Sequence, residues 1–190
     1  MQINWYGEGC FKLTEGPVTI MVDPFENSTG LSAPRFKADI VIKTLTPALQ
    51  PGKPHPQTHD GEMFNVSGPG EYEIKGVSIS GWPLVKDSSA SFLKTIYRIK
   101  TDDITIGLLG HLSDAGEPEI FEELGEIDVL IIPGGGKPFI EQEAAAKLIR
   151  QISPRLVIPS FFHVPGLKRK AEGVTEFLKE IGQKAEPEEK

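Results

Sequence analysis

A single cysteine, Cys10, stands among 190 residues. That scarcity excludes an intrachain disulfide framework and any structural zinc site built from several thiolates. No uninterrupted apolar run approaches the roughly 20 residues that a membrane-spanning helix needs. The opening Met1–Gln2–Ile3–Asn4–Trp5 has neither the basic segment nor the apolar stretch of a secretory signal. Aromatic residues make up only 8%, and cations are outnumbered, with 20 Lys and Arg against 27 Asp and Glu for a formal charge of −7. Gripping a phosphate backbone takes clustered cations, so no nucleic-acid partner is expected, and no membrane partner either. What remains, 38% apolar and 25% charged, is the make-up of a cytoplasmic globular protein. The length suits one domain over residues 1–183, followed by a polar, glutamate-rich tail over 184–190 that is expected to be disordered.

The 20 glycines and 16 prolines are spread between short apolar runs, as turn punctuation is in a strand-rich protein. Strands are expected at Ile3–Trp5, Cys10–Thr14, Val18–Val22 and Asp39–Lys43. They resume at Glu62–Val66, Gly70–Ile74, Gly76–Ser80, Phe92–Lys100 and Asp103–Leu109. Between them, Thr44 to Gly61 holds Pro47, Pro51, Pro54 and Pro56. Proline removes a donor and fixes φ, so neither a helix nor a central strand belongs there. After residue 116 the pattern becomes helix, strand, helix, strand, helix: Pro118–Leu124, Val129–Ile132, Ile140–Ile152, Leu156–Ile158 and Gly173–Ile181. Ala144, Ala145, Leu148, Ile149 and Ile152 recur at helical spacing. Strands first, then β-α-β-α, predicts two sheets with helices packed outside.

The ordered landmarks resemble the metallo-β-lactamase fold superfamily, in its branch of small zinc-dependent hydrolases. Trp5–Tyr6–Gly7–Glu8–Gly9–Cys10–Phe11 is similar to the opening strand and turn of that family, and Ile20–Met21–Val22–Asp23–Pro24–Phe25 to its next strand with an Asp-Pro turn. Ala38–Ile42, Gly68–Ile74, Gly110–Asp114, Asp128–Pro133 and Pro154–Pro159 continue the likeness in order, over roughly residues 1–163. The resemblance implies an α/β (α+β) protein, a four-layer αββα sandwich with the site along one edge of the two sheets.

It also implies a histidine-rich cage that holds one or two divalent metals and activates a bound water. Here the loop after Val41–Ile42–Lys43 reads Thr44–Leu45–Thr46–Pro47–Ala48–Leu49–Gln50. Set against Thr-His-x-His-x-Asp-His, the four ligand positions fall on Leu45, Pro47, Leu49 and Gln50, none of which binds zinc usefully. The next family histidine falls within Gly81–Trp82–Pro83 and the last one at Ser160 and Phe161. Asp114 aligns with the bridging aspartate. The chain has four histidines, His55, His59, His111 and His163. A relocated cage of His59, Asp60, His111, Asp114 and His163, holding zinc or manganese, is the alternative; solvated loop histidines, with His111 bracing a turn, are the plainer reading. His55 sits between two prolines, which makes a helical His55-x-x-x-His59 pair a poor route.

Other features have plain readings beside functional ones. Gly134–Gly135–Gly136–Lys137 could present N–H groups to an anion but lacks P-loop spacing, so a permissive turn is preferred. Cys10 reads as a core or turn thiol. Lys168–Arg169–Lys170 reads as a solvated helix approach, or as an anion patch beside the pocket. Asp114, His111, Asp23, Trp82 and Phe161 are the pocket candidates, with Trp82, Phe161 and Phe162 adding apolar mass where the family has polar ligands. Two functions follow. In the first, a degenerate, metal-free site acts by binding a small molecule or protein, with no cofactor. In the second, a metal-dependent hydrolase uses the relocated cage. An edge strand or the face near Trp82 could pair subunits into a homo-oligomer.

Overall fold

The computed structural model describes residues 1–48, 59–60 and 63–183. His55 and the tail 184–190 therefore lie outside the described residues, and for His59 and Asp60 only the backbone is described.

Two sheets face each other. The first is built from β1 (Gln2–Gly7), β2 (Cys10–Glu15), β3 (Val18–Val22), β4 (Ile40–Ile42), β6 (His59–Asp60) and β7 (Met63–Val66), in the order β1-β2-β3-β4-β7-β6. The second contains β8 (Gly70–Ile74), β9 (Val77–Pro83), β10 (Phe92–Lys100), β11 (Thr105–Leu108), β12 (Val129–Pro133) and β13 (Leu156–Ser160), in the order β13-β12-β11-β10-β9-β8. A short strand β5 (Leu45–Pro47) leaves the first sheet and pairs antiparallel with the start of β10. It occupies the segment expected to be neither helix nor central strand, and its proline sits at the strand's last position.

Alternation builds the core. Phe11 and Leu13 on β2, Ile20 and Val22 on β3, and Ile40 and Ile42 on β4 meet Tyr97 and Ile99 on β10, Ile106 and Leu108 on β11, and Val129 and Ile131 on β12. These side chains fill the space between the sheets, each contributing roughly 1.5–3 kcal/mol by its burial. The alternate residues Ile96, Leu130 and Ile132 point the other way and meet α1 (Pro118–Glu123), α2 (Gln142–Ile152) and α3 (Val174–Glu180) through Phe121, Leu148 and Phe177. β12 is buried on both faces, which is why Val129–Ile132 is apolar throughout rather than alternating. Among the described residues all three α-helices lie on this outer face of the second sheet. The two facing sheets of the family's sandwich are observed, with the helical layer on one side among the described residues rather than on both.

Hydrogen-bond direction fixes the working edge. β3, β4 and β7 run parallel to one another, as do β11, β12 and β13. In parallel sheets, ligand clefts form just beyond the carboxyl ends of the strands. The carboxyl ends of β3, β4, β11 and β13 deliver Asp23, Lys43–Thr44, Gly110–His111 and Phe161 to one edge of the sandwich.

Candidate functional site

A cleft of about 430 Å³ opens at that edge, lined among others by Glu8, Asp23, Lys43, His111, Phe161 and Arg169. Non-glycine residues are uncommon at positive φ, and three of the five among the described residues line this cleft: Glu8 (φ 49°), Asp23 (φ 39°) and Phe161 (φ 56°). Backbone of this kind is costly and persists where surrounding contacts impose it, which singles out the cleft.

At its floor is a hydrogen-bonded group drawn from three strand ends. Asp23 follows β3, and its N–H is held by the Ile42 carbonyl at 2.9 Å. Asp23 Oδ1 accepts the Thr44 N–H at 2.7 Å and Oδ2 accepts the Thr44 hydroxyl at 2.5 Å. Thr44 Oγ1 is also 2.7 Å from His111 Nδ1, which lies 3.6 Å from Asp23 Oδ2. Burial pushes Asp23 above the usual carboxylate range, while His111, the two Thr44 bonds and Lys43 oppose that rise. Burial likewise pulls His111 below the ordinary histidine value, against the opposing pull of Asp23. Cys10 lies in the buried core close by, and burial, reinforced by Asp23, pushes its thiol up to about 12; it stays a neutral core thiol.

The walls are aromatic. The rings of Phe139 and Phe161 are 4.2 Å apart, and Phe161 is 4.9 Å from the His111 imidazole. Phe161 presses so closely on Gly9 that a Cβ there would fall 2.3 Å from its Cζ. The turn carrying Phe161 is clamped from both sides. Its N–H donates to the Glu8 carbonyl at 3.0 Å, and its carbonyl accepts from Arg169 at 2.6 Å. Arg169 in turn holds Glu8 through both carboxylate oxygens, at 3.2 and 2.8 Å, and gives its remaining bond to the Lys170 carbonyl. Four of its five N–H donors are thereby given to the protein, and its charge is paired with Glu8.

The structure brings together His111, Asp23 and Phe161 of the sequence candidates, and adds Thr44, Glu8 and Arg169. Asp114 is placed elsewhere. It is exposed, and its N–H contacts Asp87 at 3.3 Å; the turn after β11 carries His111 into the cleft and leaves Asp114 three residues further along the surface. Trp82 also lies outside the cleft, packed beside the helices with its Nε1–H on Glu123 at 2.6 Å, because β9 turns that residue to the outer face. His163 is exposed and joined to the fold through its backbone N–H to the Glu172 carbonyl. The glycine loop after β12 already faces a carboxylate: Glu172 packs on Gly136 and accepts from Gln142 Nε2 at 3.0 Å.

A pH dependence follows from His111. With its folded value lowered, acidification below about 6.5 protonates the histidine of the unfolded chain before that of the folded one. Stability is therefore lost as the pH falls through that range. Asp23 acts with the opposite sign, since a raised carboxylate favours the unfolded chain above the ordinary carboxylate value. Urea unfolding between pH 8 and 5 is expected to show a smaller loss for His111→Gln than for the wild type. Equal losses would mean that His111 is solvated rather than buried.

The fold and the edge-on cleft define a metallo-β-lactamase-type sandwich, and comparison with known proteins agrees. The family model for the β-lactamase superfamily domain matches residues 2–160. The chain belongs to the β-lactamase superfamily, in its UPF0173 family. A UPF0173 metal-dependent hydrolase of Pyrococcus abyssi is 31% identical over 221 residues, covering 97% of this chain and 94% of the relative. Another from Pyrococcus horikoshii is 27% identical, covering 98% and 94%. Among solved structures, a Thermotoga maritima protein described as a candidate Zn-dependent hydrolase superposes with a TM-score of 0.71 at 28% identity, covering 93% of this chain and 84% of its own. A metallo hydrolase from Ignicoccus hospitalis shares the fold at TM-score 0.68 and 18% identity, with 95% and 89% covered.

Those names imply a metal, and the donors at the cleft can be set against that requirement. Among the described residues no group of three or more His, Cys, Asp or Glu is placed to hold one. Each Asp23 oxygen accepts from Thr44 and each Glu8 oxygen from Arg169, and His111 is the one imidazole among the described residues that line the cleft. One imidazole falls short of the three protein ligands of a catalytic zinc site. The described donors do not fit such a centre.

Proposed function

We propose that this protein binds a small ligand in the aromatic-walled cleft and acts by binding rather than by metal-activated hydrolysis. The observation that carries this reading is the ring of Phe161, which walls the cleft against Gly9 where the family resemblance puts a ligand histidine. Around it, Leu45 lies at another ligand position and lines the cleft, and Pro47 is paired into β5. Apolar replacement of this kind removes both the Lewis acid and the activated water on which family hydrolysis depends, while keeping a concave, mostly apolar site with a few polar groups.

The relatives favour a second reading, a hydrolase using zinc or manganese at a site rebuilt from His59, Asp60, His111, Asp114 and His163. Several of them are named metal-dependent hydrolases. Two others, from Pyrococcus abyssi and Pyrococcus furiosus, carry the UPF0173 name without the words metal-dependent hydrolase. Exposure of Asp114 and His163 outside the cleft weighs against that rebuilt cage.

Binding is tested by amide chemical-shift mapping of isotopically labelled protein against a panel of small aromatic fragments. Perturbations are expected to concentrate on Gly9, Lys43, Leu45, His111 and Phe161. A panel that leaves these residues silent, or scatters shifts over the whole surface, would overturn the assignment of the cleft.

A further inference from the structure

The polar group at the cleft floor has a direction, and that direction says what kind of ligand fits. Thr44 Oγ1 lies between Asp23 Oδ2 at 2.5 Å and His111 Nδ1 at 2.7 Å. A hydroxyl has one proton to give and lone pairs to receive, whereas an ionised carboxylate only receives. Asp23 accepts at both oxygens, from the Thr44 N–H and from the Thr44 hydroxyl, so the Thr44 proton points to Asp23 and Oγ1 is left to accept. Its partner, His111 Nδ1, must then carry the imidazole proton. A neutral imidazole has one N–H, so Nε2 is a bare lone pair. Among the described residues no group hydrogen-bonds to Nε2, and His111 lines the cleft.

We propose that the cleft presents His111 Nε2 as a fixed hydrogen-bond acceptor and so takes a small aromatic ligand that carries an O–H or N–H donor. The inference rests on the reading of the cleft as a binding site and adds the chemical class of its occupant. The walls supply the rest of the complementarity. Phe139 and Phe161, packed on each other at 4.2 Å between centroids, form one apolar wall of the cleft, and an aromatic wall favours a planar, apolar body. Arg169, the cation nearest those rings at 5.0 Å from Phe139, is committed to Glu8 and to two carbonyls. The charge of Arg169 is already paired with Glu8, which weakens its pull on an anionic ligand, and a ligand with acceptors alone gains nothing from Nε2. Thr44 and Asp23 are positioning residues here: they set the tautomer and do not touch the ligand.

The test uses the full chain at pH 8 with two probes, phenol and its methyl ether anisole, which share a ring and differ in the donor. Nitrogen-15 spectra of His111 are expected to show the proton on Nδ1. Phenol is expected to bind at the cleft about tenfold more tightly than anisole, the worth of one good hydrogen bond. Thr44→Val is expected to bring the ratio close to one, with Thr44→Ser restoring it. The wild-type tautomer and probe ratio carry the test even if Thr44→Val fails to fold. A proton on Nε2 would overturn the proposal. Equal affinity for the two probes, with shifts still centred on the cleft, would overturn the donor requirement and leave the cleft as a binding site. Silence of the cleft toward both probes and toward the wider fragment panel would overturn both readings together.

Discussion

Gly110→Ala is expected to destabilise the protein by about 3 kcal/mol or more and to dismantle the cleft floor. Gly110 sits at φ 43°, and a Cβ there would lie 2.1 Å from Thr44 Oγ1 and 2.2 Å from Thr44 Cβ. Thr44 is fully buried and held by Asp23 through both its N–H and its hydroxyl. The left-handed backbone alone costs an L-residue roughly 1–2 kcal/mol, and overpacking a rigid site adds about 1–3 kcal/mol. Urea denaturation gives the first quantity, and the His111 nitrogen spectrum reports the second effect. A loss under about 1 kcal/mol with an unchanged His111 spectrum would mean that Thr44 moves freely, contradicting the packed geometry.

Asp87→Ala is expected to have a comparable effect for a different reason. Asp87 is the hub of a buried polar knot between the turn after β9 and the turn after β11. It holds Lys94 Nζ at 2.9 Å through Oδ1, and the N–H groups of Ser113 and Asp114 at 2.7 and 3.3 Å through Oδ2. The Ser113 hydroxyl also donates to Oδ1, and Lys94 reaches Ser113 Oγ at 2.5 Å. The side chains of Lys94 and Asp87 are only 11% and 8% exposed. Removing one partner of such a pair leaves a buried charge without compensation, a loss of about 3–5 kcal/mol. Replacing both, as Asp87→Ala with Lys94→Met, is expected to recover part of that loss, and a double-mutant cycle measures how much. If Asp87→Ala loses less than about 1 kcal/mol, water reaches Lys94 and the knot is a surface feature.

Most of the sheet framework can be read in the residues, because one-sided burial enforces period two in strands such as Val18–Val22 and two-sided burial leaves Val129–Ile132 apolar throughout. Val18–Val22, Phe92–Lys100 and Val129–Ile132 appear as strands in both sequence and structure. The helix over Gln142–Ile152 is equally plain from Ala145, Leu148 and its neighbours. β5 is not legible: three residues with one buried position and a terminal proline leave no pattern. The cleft floor is harder still, since its members are 21 and 67 residues apart and meet only because three strand ends converge. Glu8 and Arg169 are 161 residues apart. Matching residue type points to Asp114 as the family aspartate, and counting from the strand end points to the other pocket candidate, His111, three residues past Leu108. The local signal for that was present: Asp23 and Thr44 stand one and two residues past β3 and β4. Asp87, in Lys86–Asp87–Ser88–Ser89, looks like any turn aspartate, and only its enclosure in three dimensions makes it structural.

Metal content separates a ligand cleft without the family's metal cage from a rebuilt metal centre. The full chain is expressed with added zinc and manganese, desalted and analysed for bound metal, beside His111→Ala and Asp114→Ala. Well under one ion per chain is expected in all three proteins. Near-stoichiometric metal in the wild type that disappears in both variants would contradict it and establish a rebuilt metal centre around His111 and Asp114.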